Sequence, residues 1–216
     1  MPSPEVIEEL KALYAEKEDD IRDRIQEFEY ARESADDTRI LEELCFCILT
    51  SAVGPKIGMK SLHAIQDILT TGSEQEILER LKGVHKYPEK AAYIVHTVNY
   101  LQNDYDLKLR ELVDSFDDPD ERRDFFALNK KIKGLGLTQA SHFLRNIGFK
   151  GYAVLDRNVV GMLHKLGVIE SDKPPTSKKR YLETEAKMQN FAEELGMEIE
   201  ELDMLLWSMK RGYIPK

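Results

Sequence analysis

Two stretches of the chain carry residues whose types and spacing suit chemistry. The first is Lys130-Lys-Ile-Lys-Gly-Leu-Gly-Leu-Thr-Gln-Ala-Ser-His-Phe-Leu-Arg145, in which a Lys-Gly-Leu-Gly turn separates two helical patterns. Glycines two apart allow a tight turn with positive φ and the close approach of another segment. The amides of Gly134, Gly136 and Thr138 then face outward at a helix start, where unpaired N–H groups and the helix dipole hold an anion such as a DNA phosphate. The same pattern also serves as a plain connection between helices. The second stretch is centred on Asp156, which follows the apolar Ala153-Val-Leu155 and precedes Arg157-Asn158. A carboxylate at a helix start caps it. Alternatively, it is a fixed anion that stabilises positive charge developing on a sugar as an N-glycosidic bond breaks, and that orients a nucleophile.

The charge distribution bears on the first stretch. The net charge of -9 argues, as an average, against a surface that attracts phosphate. Between Asn129 and Gly151, however, stand five cations, Lys130, Lys131, Lys133, Arg145 and Lys150, and no acid. The acids gather in 16–37 and 114–124, so one basic face on an acidic body is expected.

These residues need a frame, and the apolar spacing supplies a helical one. Ile40, Leu41, Leu44, Cys45 and Ile48 recur at helical intervals, as do Ala91, Ile94, Val95, Val98 and Leu101. Ser73-Glu-Gln-Glu76 reads as a capping box, and Pro88 stands where a first helical turn opens. Helices are expected near 4–30, 38–52, 57–70, 74–82, 89–103, 106–114, 119–131, 138–147, 157–166, 179–195 and 199–210. The fold class is all-α, with Tyr152-Ala-Val-Leu155 as a short extended run and Ser171–Ser177 as a loop interrupted by two prolines. With 216 residues, 42% of them hydrophobic and 33% charged, the chain suits one domain or two small lobes. Without a basic-then-apolar leader or a long apolar run, a cytoplasmic protein is expected. Cys45 and Cys47 diverge around one apolar helix and read as reduced core residues.

Taken together, Gly134-Leu-Gly136, Ala140, Leu144-Arg-Asn-Ile-Gly148 and Leu155-Asp156 resemble the helix-hairpin-helix-Gly/Pro-Asp motif of base-excision DNA glycosylases. The fuller string Ala140-Ser-His-Phe-Leu-Arg-Asn-Ile-Gly148 is similar to the archaeal-type (type 2) 8-oxoguanine DNA glycosylases. Glu43-Leu-Cys-Phe-Cys-Ile-Leu49 and Leu202-Asp-Met-Leu-Leu-Trp207 extend that similarity from about residue 40 onward. The resemblance implies a two-lobed helical fold with the active-site cleft between lobes, and extrusion of a damaged nucleotide from duplex DNA by a monomer. It makes Asp156 the catalytic aspartate, with Gly134, Gly136, Lys133 and Arg145 on DNA phosphate. Trp207, otherwise a core residue, would line the base pocket together with the terminal carboxylate on Lys216. Main-chain carbonyls near Lys130, Ile132 and Leu135 would hold a monovalent cation. No cofactor is implied, and the histidines and cysteines lack metal-ligand spacing. The implied lobes are 38–135 and, together, 1–37 and 136–216, with the hairpin at 130–140 joining them.

The departures from the pattern matter as much. Enzymes of this type carry a lysine in Gly-x-Gly-x-Lys that attacks C1′ and goes on to cut the strand; here the position is Thr138. A hydroxyl forms no Schiff base. Lys131 and Lys133 could substitute, but they precede the turn and are expected to face phosphate. Asn158 stands where a histidine often follows Asp-Arg. The expectation is therefore removal of 8-oxoguanine from duplex DNA, with the strand-cutting lyase step in doubt. The rivals are a glycosylase for another damaged or mismatched base, and a non-catalytic structure-specific DNA-binding protein. His142 either faces DNA or is satisfied within the fold.

Overall fold

The computed structural model describes residues 2–214 and divides the chain into two compact units. One comprises residues 34–143 and the other residues 1–33 with 144–216. The described residues form helices, turns and loops, with no strand.

In the 34–143 unit the axis is α2 (Asp37–Thr50), in which every residue from Ile40 to Thr50 is buried. A helix this apolar around its circumference belongs in a core, and α3 (Pro55–Ile65), α5 (Glu89–Tyr105) and α6 (Leu109–Asp114) pack around it. The start of α2 is set by Asp36, whose carboxylate accepts the Arg39 amide at 2.8 Å. Cys45 and Cys47 are fully buried reduced thiols, and burial pushes the Cys45 thiol up to about 12. The capping box read from Ser73 to Glu76 opens α4 (Glu74–Leu81). α7 (Pro119–Leu128) begins at the Asp118 cap and contributes Phe126, which meets Phe143 edge-on at 4.9 Å. Several boundaries differ from expectation: the first helix runs on to Ser34, α3 stops at Ile65, and two further shifts have local causes. Asp106 and Leu107 take left-handed φ values of 52° and 54°, which delays α6 to Leu109. α7 stops at Leu128, and the residues up to 136 form the turn that precedes α8 (Leu137–Asn146).

The second unit combines α1 (Pro4–Ser34) with α9 (Arg157–Lys165), α10 (Lys178–Leu195) and α11 (Ile199–Arg211). α11 is buried at all positions from Leu202 to Ser208 and packs on α9 and α10. Gly148 ends α8 at φ 87°, with the Phe149 amide reaching back to the Leu144 carbonyl at 3.0 Å. A Cβ at Gly148 would stand 2.4 Å from the Phe28 carbonyl oxygen, so the approach of α1 excludes any side chain there. Among the described residues, no helix is long and apolar enough to cross a membrane.

Candidate functional site

Asp156 lies at the end of a buried extended segment, Tyr152–Leu155, that has no neighbouring strand. Buried amides need acceptors, and here side chains from two helices supply them. The Ala153 amide donates to Glu185 at 3.0 Å, the Val154 amide to Asp203 at 3.2 Å, and the Leu155 amide to the Tyr181 hydroxyl at 3.5 Å. Tyr181 in turn donates to the Ala153 carbonyl at 2.7 Å. This lattice delivers Asp156, half-buried, to the N-terminus of α9.

There the carboxylate is a cap, and more than a cap. Its Oδ1 accepts the amides of Asn158 at 2.7 Å and Val159 at 2.9 Å. Its Oδ2 accepts the Asn158 side-chain amide and the Trp207 indole N–H, each at 3.1 Å. Trp207 is 7% exposed, with Tyr213 edge-on to its ring at 4.9 Å and the Arg211 guanidinium 6.0 Å from it. Trp207 and Asp156, far apart in sequence, are thus joined directly. The Lys216 carboxylate expected beside Trp207 lies outside the described residues.

Arg145 requires a correction. It is 3% exposed, its Nη1 lies 2.6 Å from Asp203 Oδ2, and its guanidinium sits 5.4 Å from the Phe28 ring. A guanidinium so enclosed does not reach a DNA phosphate. Arg145 is instead an internal anchor: it holds Asp203, which holds the Val154 amide two residues before Asp156. Burial and the nearby Asp156 push the Asp203 carboxyl up to about 7 against the pull of Arg145. Its string context, Leu144-Arg-Asn, gave no sign that the cation would be internal.

The hairpin belongs to the 34–143 unit. Gly134 has φ 82°, and a Cβ there would stand 2.9 Å from the Tyr93 ring and 3.0 Å from the Ile48 side chain. Gly136 is different, since a Cβ would meet nothing within 4 Å; its bareness leaves the amide uncovered. The Lys133 amide is taken by the Thr97 hydroxyl at 2.9 Å, which pins the turn to α5. Among the described residues, the amides of Gly134 and Gly136 make no hydrogen bond, nor do the carbonyls of Lys130, Ile132 and Leu135 accept one. Those amides suit an anion, and those three oxygens have the chemistry of a cation's donor set.

The cations sort cleanly. Lys131 pairs with Asp104 at 2.8 Å and lies over the Tyr100 ring, and Asp104 holds its ammonium above the usual range. Lys150 pairs with Glu29 at 2.7 Å. Exposed Lys130 and half-buried Lys133 make no ion pair among the described residues and flank the bare amides. Thr138 is half-buried in the first turn of α8. His142, one turn further, is 7% exposed and meets Phe46 edge-on at 5.9 Å, a core placement. Two contributors, Thr97 and Asp203, were not singled out in the sequence because they bind main-chain amides distant in the chain, and Asn158, noticed there only as a departure from the pattern, has a role that only geometry reveals.

The family model described as 8-oxoguanine DNA glycosylase matches residues 21–197. An 8-oxoguanine DNA glycosylase/AP lyase of Korarchaeum cryptofilum is 35% identical, over 91% of this chain and 90% of the relative. One of Methanocaldococcus jannaschii is 33% identical over 97% of both. The crystal structure of the Methanocaldococcus jannaschii 8-oxoguanine glycosylase/lyase in complex with a 15mer DNA containing 8-oxoguanine superposes with a TM-score of 0.87, at 31% identity, covering 98% of this chain and 99% of that one. By the residues matched and by fold alike, the chain belongs to the 8-oxoguanine DNA glycosylase family.

Proposed function

We propose that the chain removes 8-oxoguanine from duplex DNA by cleaving the N-glycosidic bond, as a monomer in the cytoplasm, without a Schiff-base lyase step. The observation that carries this is the Asp156 carboxylate, delivered by a buried segment and linked at 3.1 Å to the indole of Trp207. Breaking the glycosidic bond leaves oxocarbenium character on the sugar. Asp156 is the fixed anion facing that charge; the base leaves with the bonding electron pair and takes a proton from solvent, and water rather than an amine adds to the sugar carbon and gives its proton to solvent. Trp207 offers its ring to the extruded base, whose unstacking must be repaid by contacts in the pocket. The amides of Gly134 and Gly136, with Lys133 and Lys130, take a DNA phosphate. The carbonyls of Lys130, Ile132 and Leu135 would hold a monovalent cation, which supplies positive charge beside that phosphate.

Thr138 sets the limit of the reaction. Its hydroxyl does not form the imine that precedes β-elimination, and Lys131 is already engaged by Asp104. Duplexes carrying 8-oxoguanine, incubated with the protein and resolved with and without alkaline cleavage of abasic sites, test both halves. Breaks that require alkali are the expected product. Asp156→Asn should lower the excision rate by roughly 10²-fold or more while binding persists; an unchanged rate refutes the mechanism.

A further inference from the structure

Every acceptor position of Asp156 is in use. A carboxylate offers about four lone-pair directions, and four donors meet this one: two main-chain amides on Oδ1, and two side chains, Asn158 Nδ2 and Trp207 Nε1, on Oδ2. The main-chain pair comes with any helix start and fixes one oxygen. The side-chain pair fixes the other. Asn158 occupies the position at which the chain departs from the pattern it otherwise resembles, and Trp207 comes from α11.

Resting on the catalytic reading of Asp156, we infer that Asn158 and Trp207 are positioning residues that lock its Oδ2, so that the carboxylate is held aimed at the reacting sugar. Donors already in place cost nothing to reorganise as positive charge develops. The arrangement matches the loss of the amine at Thr138. A carboxylate that has no ammonium to deprotonate needs no free lone pair, and one held on all sides loses the freedom to swing away from the sugar. Trp207 then has two tasks on two parts of one side chain: its ring faces the base pocket and its N–H holds the carboxylate.

Trp207→Phe keeps a ring and removes the donor; Asn158→Ala removes the amide and keeps both main-chain bonds. Single-turnover excision at saturating enzyme, the dissociation constant for the 8-oxoguanine duplex and the melting temperature are measured for each, alone and combined with Asp156→Asn. A hydrogen bond to a charged group corresponds to about a tenfold loss of rate or more, and that loss is expected for each single variant with its duplex affinity and melting temperature close to those of the parent. In the Asp156→Asn background the same substitutions should change the residual rate by less than about twofold, because groups acting through one residue are not additive. Equal losses in both backgrounds, or losses confined to affinity, overturn the inference and assign the side chains to the base. Wild-type rates for Trp207→Phe and Asn158→Ala beside a slow Asp156→Asn overturn the positioning alone. A wild-type rate for Asp156→Asn overturns the catalytic reading, and the positioning with it.

Discussion

The two regions that bear on chemistry are built in opposite ways. Around Asp156, side chains do the work: Glu185, Tyr181 and Asp203 hold the approach, and Asn158 and Trp207 hold the carboxylate. At the hairpin the uncommitted groups are main chain, the amides of Gly134 and Gly136, with Thr97 as the pin behind them. A site made of side chains depends on the identity of many residues scattered along the chain. A site made of backbone depends on the shape of one short turn. The hairpin therefore keeps its form while Thr138 replaces the amine that its pattern leads one to expect.

The largest expected change sharpens that contrast by restoring the amine. Thr138→Lys should turn a protein that borohydride does not cross-link to abasic DNA into one that it does, with strand cleavage in the absence of alkali. Efficient trapping of the unaltered protein would break the contrast and point to Lys133.

Next is the anchor behind Asp156. Asp203→Leu leaves the Arg145 guanidinium buried without its carboxylate, which should lower unfolding free energy in urea by about 3–5 kcal/mol. Combining it with Arg145→Met should recover most of that loss. If Asp203→Leu proves harmless while Arg145→Met weakens DNA binding, Arg145 is a DNA contact after all.

Gly134→Ala tests the backbone-made region. Its φ of 82° and the 2.9 Å approach to Tyr93 should together cost about 1–3 kcal/mol of stability. Gly136→Ala, with open space around the new methyl, should be milder in stability and felt mainly in DNA affinity. The smallest effects separate the lysines: Lys133→Ala should reduce the salt dependence of DNA binding by a slope of about 1, while Lys131→Ala, whose charge is spent on Asp104, should leave it nearly unchanged.

Much of this frame was legible without coordinates, for a physical reason. Helical periodicity, the Ser73–Glu76 capping box and Pro88 at the start of α5 are local signals, and α2, α4, α5 and α9 to α11 stand within a few residues of where those signals put them. Asp156 and the Gly134–Gly136 turn were visible because each is defined by neighbours in the chain. What was not visible depends on distant partners. Arg145 looked like part of a basic stretch, yet Asp203 claims it. Lys131 looked equivalent to Lys133, yet Asp104 and Tyr100 distinguish them. Asn158 looked like a minor substitution until its amide was found on Asp156.

Trp207 is also the chain's one tryptophan, and it sits with a carboxylate on its N–H, a tyrosine at its edge and a guanidinium nearby. The protein therefore carries an intrinsic optical reporter at the place where the reaction is expected. Light absorbed by Tyr213 passes to the indole at such short range, and a purine stacking on the ring, or a change on Asp156, alters the emission of a single chromophore with no background from another indole. Stopped-flow fluorescence on the unlabelled protein would follow the base into its pocket in real time.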